Sequence, residues 1–154
     1  MKKIFLMVMY IAFVNFQMMA QNDLFNKLAD MPGITSVSIS PKMFEMIKGS
    51  ASVESEKLHF ENIAGKLTRL QILSSEDKKA SKILRKETGF INPQNGYEEL
   101  LRVKDDEEKV FIYSKNIKDN ENEYILLVDE ADEFTVVMFS GKLTLDELRG
   151  IMDK

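Results

Sequence analysis

The chain contains no cysteine among its 154 residues. Disulfides, thiolate metal centres and cysteine nucleophiles are therefore excluded, and stability must come from packing alone. There is no tryptophan and one histidine, His59, too few imidazoles for a metal centre built on histidine. Prolines number three and glycines seven, so each local break in the pattern carries weight. Positive charge is in deficit, with 21 Lys and Arg against 25 Asp and Glu and a formal net charge of −4. Such a chain has no electrostatic reason to bind nucleic acid or an anionic membrane surface. Its longest apolar run, Ile4–Val14, falls short of the roughly 17–25 residues a membrane span requires, and nothing later resembles one.

What is present begins with an export pattern. Lys2 and Lys3 precede that apolar run, and Asn15, Gln17, Met18, Met19 and Ala20 follow it. This predicts a signal peptide over residues 1–20, cleaved after Ala20. Met18, three residues before the cut, is larger than the small residue usual there. With no cysteine beyond the run there is no lipid-attachment site. The removed piece holds two lysines and no acid, so the mature chain is more acidic still. Residues 21–154 form one domain, long enough for a hydrophobic core, and the expected location is the periplasm or the extracellular space.

Along the mature chain, Leu24, Phe25, Leu28 and Met31 recur at helical spacing, with Asp23 placed to cap. Pro32-Gly33 ends that helix. Residues 34–40 (ITSVSIS) alternate as a strand with Thr35, Val37 and Ile39 on one face. Ser40-Pro41 reads as N-cap and first turn of a short helix carrying Met43, Phe44, Met46 and Ile47. Residues 50–57 are polar and predict a loop. Residues 58–66 predict a short helix weakened by Gly65. Residues 67–73 (LTRLQIL) predict a strand, after which Ser74 or Ser75 caps a helix through SEDKKASKILRKET. Asn92-Pro93 and Asn95-Gly96 mark a loop. Four strand-like runs follow at 97–104, 109–115, 123–129 and 133–140. Thr144 and Glu147 then form a capping-box pattern before Leu145, Leu148, Ile151 and Met152.

Short links between successive strands make antiparallel neighbours. The predicted fold class is α+β: an antiparallel sheet of about five to six strands, the last four a meander, with helices packed mainly on one face. The last three strands are apolar on both faces. Val136 and Met138 alternate with Val137 and Phe139, and Tyr124, Leu126 and Val128 with Ile125 and Leu127. A single sheet open to water on one side alternates more cleanly than this, so the second face is either covered or meets a partner.

The stretches LFNKLADMPGITSVSIS, LQIL, YEELLRVK and YILLVDEADEFTVVMFSGKLTLDEL resemble domain of unknown function family 4252, small exported proteins of Gram-negative bacteria. The likeness runs from about Leu24 to Met152. It implies export and a single domain. The family has no assigned activity, so it supplies no catalytic or binding residues.

A phosphate loop needs strand, glycine-rich turn, then helix with Lys and Ser/Thr at fixed offsets. Pro32-Gly33 instead sits between helix and strand, and the strand-to-helix link is Ser40-Pro41, so this stretch reads as joinery. His59, between Leu58 and Phe60, reads as a partly buried helix residue. No serine lies in a Gly-x-Ser-x-Gly elbow. The acidic links Asp105-Asp106-Glu107-Glu108 and Asp129-Glu130-Ala131-Asp132-Glu133 fall at the same end of a meander. There Asp105, Asp106, Asp129 and Asp132 could ligate Ca²⁺, which takes six to eight oxygens, although neither link has the EF-hand order. Turns are acidic for solubility far more often, so a solvated rim is the favoured reading.

The expectation is therefore an exported, non-enzymatic binding module. It would use an apolar sheet face drawn from Val136, Val137, Met138 and Phe139, with no cofactor. Its partner would be another envelope protein or a second copy of itself. The alternatives are an envelope hydrolase using acidic residues and a Ca²⁺-stabilised structural domain.

Overall fold

A computed structural model describes residues 20–50 and 65–147. The predicted signal peptide up to Met19, His59, most of the predicted 50–57 loop and 58–66 helix, and Leu148, Ile151 and Met152 lie outside the described residues. Among those described, no helix is long and apolar enough to cross a membrane.

The elements are helix α1 (Ala20–Ala29), strand β1 (Thr35–Ile39), helix α2 (Pro41–Ser50), strand β2 (Leu67–Ser75), helix α3 (Lys78–Glu87), and strands β3 (Glu98–Lys104), β4 (Glu108–Lys118), β5 (Glu121–Glu130) and β6 (Phe134–Gly141). Two short 3₁₀ turns, Thr88–Phe90 and Pro93–Asn95, join α3 to β3. The six strands form one sheet in the order β1-β2-β6-β5-β4-β3, with every neighbouring pair antiparallel. The fold is α+β, and β3 to β6 form the expected meander.

Local chemistry sets most boundaries. Ser40 caps α2: its hydroxyl accepts from Met43 N–H at 3.4 Å. Gly33, at φ +84, takes the left-handed turn after α1 that other residues resist. Asp119 and Asn120, both at positive φ, make the two-residue hairpin between β4 and β5, the turn that matches strand twist. The capping box at the chain's last described turn is formed, with Thr144 N–H donating to Glu147 at 3.0 Å and Glu147 N–H to Thr144 Oγ1 at 3.3 Å.

Several boundaries differ from expectation: β4 and β5 both reach further into their shared hairpin than 109–115 and 123–129, and α2 takes in Ser50. Two further differences change which residue caps a helix. Helix α1 already includes Ala20, so Asp23 lies within it rather than at its start. Strand β2 runs on to Ser75, pairing with Phe134 of β6. Ser74 and Ser75 therefore stay in the sheet, and Asp77 caps α3 by accepting from Lys79 and Ala80 N–H at 3.0 and 2.9 Å. The gain of sheet hydrogen bonds outweighs the weak capping preference of either serine.

The main core lies between one sheet face and helices α1 and α3. Phe25 and Leu28 from α1 and Leu84 from α3 meet Leu73, Val136, Leu127, Ile125 and Tyr113 from the strands. Phe44, Tyr124 and Leu143 are also buried, outside that cluster.

Candidate functional site

The second sheet face is the surface to which the sequence pointed. Strand pairing places Val37, Ile72, Val137, Leu126, Ile112 and Leu101 side by side, one from each strand. The four central residues are half-buried, while Val37 and Leu101 at the two edges are 43% and 42% exposed. A parallel row behind it holds Ser74, Thr135, Val128, Val110 and Val103. In that row the Ser74 and Thr135 hydroxyls bond at 2.8 Å. At the other end, Phe139 stacks on Tyr124 with centroids 5.2 Å apart, and the Tyr124 hydroxyl donates to Leu143 C=O at 2.9 Å. The chain after β6 thus closes that end of the face, and among the described residues the apolar row beyond it is exposed at its two edges, Val37 and Leu101.

Of the four residues expected to form an interaction surface, Val137 and Phe139 lie on this face. Val136, only 2% exposed, and Met138 pack into the core beneath the helices. Alternation along β6 separated the pairs correctly. It gave no means of saying which pair the helices would cover, because both are apolar.

A polar cluster sits at one end of the helix-covered face. Lys115, Glu123, Ser140 and Arg69 are neighbours across four strands. Buried Tyr97 donates to Glu123 Oε1 at 2.9 Å, and Lys115 Nζ lies 4.8 Å above the Tyr97 ring. Burial pushes the Glu123 carboxyl above its ordinary value, against the Tyr97 hydrogen bond and the charges of Lys115 and Arg69. Burial, with the neighbouring Glu123 charge, raises Tyr97 well above 10.0. No sequence motif marked this cluster, whose members come from four strands and a loop.

Its effect on stability has a definite sign. The folded state holds the Glu123 proton to higher pH than the unfolded chain does. That contribution is complete below the unfolded value and is lost as pH rises through the folded one. Glu123→Gln keeps an acceptor for Tyr97 but cannot ionise. As pH rises above the ordinary glutamate range, its stability is expected to fall less steeply than that of wild type in urea titrations. An unchanged slope would show Glu123 titrating as an exposed glutamate.

The two acidic links do share one end of the sheet. Together with Glu76, Arg85 and Lys109 they line an open depression of about 950 Å³. Three of its carboxylates, Asp105, Asp129 and Asp132, already have partners. Asp105 accepts from the N–H groups of Glu107 and Glu108, both at 2.8 Å, which holds its carboxyl below the usual range. Arg85 Nε donates to Asp129 at 2.6 Å, and its Nη2 donates to Glu130 C=O at 2.5 Å and Glu133 C=O at 3.2 Å. Its guanidinium also lies 5.4 Å from the Phe134 ring centroid. Lys78 pairs with Asp132 at 3.5 Å. Among the described residues no three acidic or histidine side chains come together as metal ligands.

A family model described as "Domain of unknown function (DUF4252)" matches residues 25–151. The chain belongs to the DUF4252 family. No curated protein and no solved structure matches it. The match to DUF4252 begins at Phe25, a core residue, and spans both apolar rows, the polar cluster and the acidic depression. Within it, the Met-Pro-Gly turn has a structural explanation. A Cβ on Gly33 would stand 3.2 Å from the Cβ atoms of both Ala80 and Asp77, so this turn of the DUF4252 domain is seated on the capped start of α3.

Proposed function

We propose that this DUF4252 chain is an exported binding module that acts through the open apolar row of its second sheet face, without catalysis. The observation that carries the reading is that row itself, unbroken across all six strands and exposed at both ends. Contiguous apolar surface of this kind marks contact sites on soluble proteins. Export is supported by the N-terminal charge and hydropathy pattern. A hydrolase reading finds less support: it needs convergent carboxylates in one concave site, one of them raised, whereas the raised carboxyl, Glu123, is tied to Tyr97 and does not line the acidic depression, where Asp105 is lowered and exposed.

The test is site-specific photo-crosslinking in the native host. A crosslinking residue at Val137 is expected to trap a discrete adduct, and the same residue at Asp119, on the β4–β5 turn, none. The recovered chain should begin at Gln21. Equal trapping at both positions, or none at Val137, overturns the contact surface.

A further inference from the structure

The two edges of the sheet, as the described residues form it, are built differently. Strand β3 carries Glu98, Glu99, Arg102 and Lys104, and its pairing with β4 shifts register between Glu99 and Leu101. Charges and a bulge are the usual means of stopping an edge strand from pairing with another chain. Strand β1 has neither. Its sequence, Thr-Ser-Val-Ser-Ile, holds no charge and no proline, and it pairs with β2 in unbroken register. Thr35, Ser36, Val37 and Ser38 are all exposed. Pro32 and Pro41 bracket the strand and limit any added ladder to those five residues.

We infer that β1 pairs antiparallel with β1 of a second copy of this chain, about a two-fold axis at Val37. Val37 is the midpoint of the strand, so this register sets Val37 opposite the partner's Val37, and Ser36 opposite the partner's Ser38. Both faces of the new junction then match themselves. Val37 stands on the second face with Ile72, so the apolar row continues from one copy into the other. Ser36 and Ser38 alternate to the helix side, where the Ser36 hydroxyl already donates to Ala29 C=O at 3.1 Å and keeps its acceptor capacity for a serine across the seam. A second copy is favoured over a different partner because the edge is self-complementary under that rotation and closes after one pairing. The charged, bulged β3 edge resists further addition. The inference rests on the edge strand and stands independently of what the second face binds.

The absence of cysteine makes the test clean. Residues directly opposite across an antiparallel pair have Cα atoms about 4.5–5.5 Å apart, inside the roughly 4.4–6.8 Å span of a disulfide. Under mild oxidation, Val37→Cys is expected to run largely as a covalent dimer, while Val103→Cys on the far edge stays monomeric. In sedimentation equilibrium the wild type should be dimeric. Val37→Lys should be monomeric with an unchanged thermal transition at high dilution, because it opposes two ammonium groups at an exposed position. A wild type that sediments as a monomer overturns the inference, whether or not it binds a peptide. So does a Val37→Cys variant that crosslinks no better than Val103→Cys.

Discussion

Gly141→Ala is expected to cost the domain about 3 kcal/mol and to lower its Tm by roughly 10 °C. Glycine inside a strand is ordinarily a weak point, and alanine there is worth about 0.5–1 kcal/mol in its favour. Here the sign reverses. Gly141 is the last residue of β6, buried between Leu67 of β2 and Asn122 of β5. A Cβ on it would stand 2.4 Å from the Lys66 carbonyl oxygen and 3.0 Å from Leu67 Cα. Those atoms are backbone and cannot swing aside as a side chain can. The same Lys66 carbonyl accepts from Lys142 N–H at 3.0 Å, and the Lys66 ammonium pairs with Glu147. Relieving the clash therefore opens the place where β2 enters the sheet. Urea denaturation should show a lower midpoint at constant m. A loss below about 0.5 kcal/mol would mean that the Lys66–Gly141 approach is soft.

Leu84→Ala is the other large effect, with an expected cost of about 3–4 kcal/mol. Leu84 is 0% exposed and belongs to the main core cluster. Helix α3 is held in place around it by polar ties. Ser81 donates to Ser75 C=O at 2.8 Å and Asp132 C=O at 3.0 Å, and Arg85 binds the β5–β6 turn. With the helix pinned at those points, it cannot collapse far into the space a truncated side chain leaves, so the cavity cost is felt in full. Lys82→Ala, on the exposed side of the same helix, should change stability by less than about 0.5 kcal/mol. Equal effects from the two variants would contradict the seating of α3.

These elements show where sequence reasoning reached and where it stopped. Ser40-Pro41 and the Thr144–Glu147 box were legible because capping depends on neighbours a few residues apart. The placing of both acidic links at one end followed from short connections alone. Local pattern points to Ser74 or Ser75 as the α3 cap, whereas Asp77 fills that place, because the reach of β2 is decided by its partner Phe134, far along the chain. Arg85 offers no local clue that it clasps a turn more than forty residues away. The cluster of Tyr97, Glu123, Lys115 and Arg69 is created by register, which a single sequence states only weakly. The difference between a guarded β3 edge and a bare β1 edge was written in the residues, but neither strand could be recognised as an edge before the order was known.

That order has a consequence in time as well as space. Strand β6, the last of the described strands to be synthesised, lies between β2 and β5. The β3–β4–β5 meander can form from near neighbours as soon as it emerges, but the β1–β2 pair has no strand to dock against until Gly141 has been made. Joining them closes the long interval between Ser75 and Phe134, a pairing of high sequence separation that is entropically slow. Among the described strands, the late strand β6 is the one that joins the two halves of the sheet.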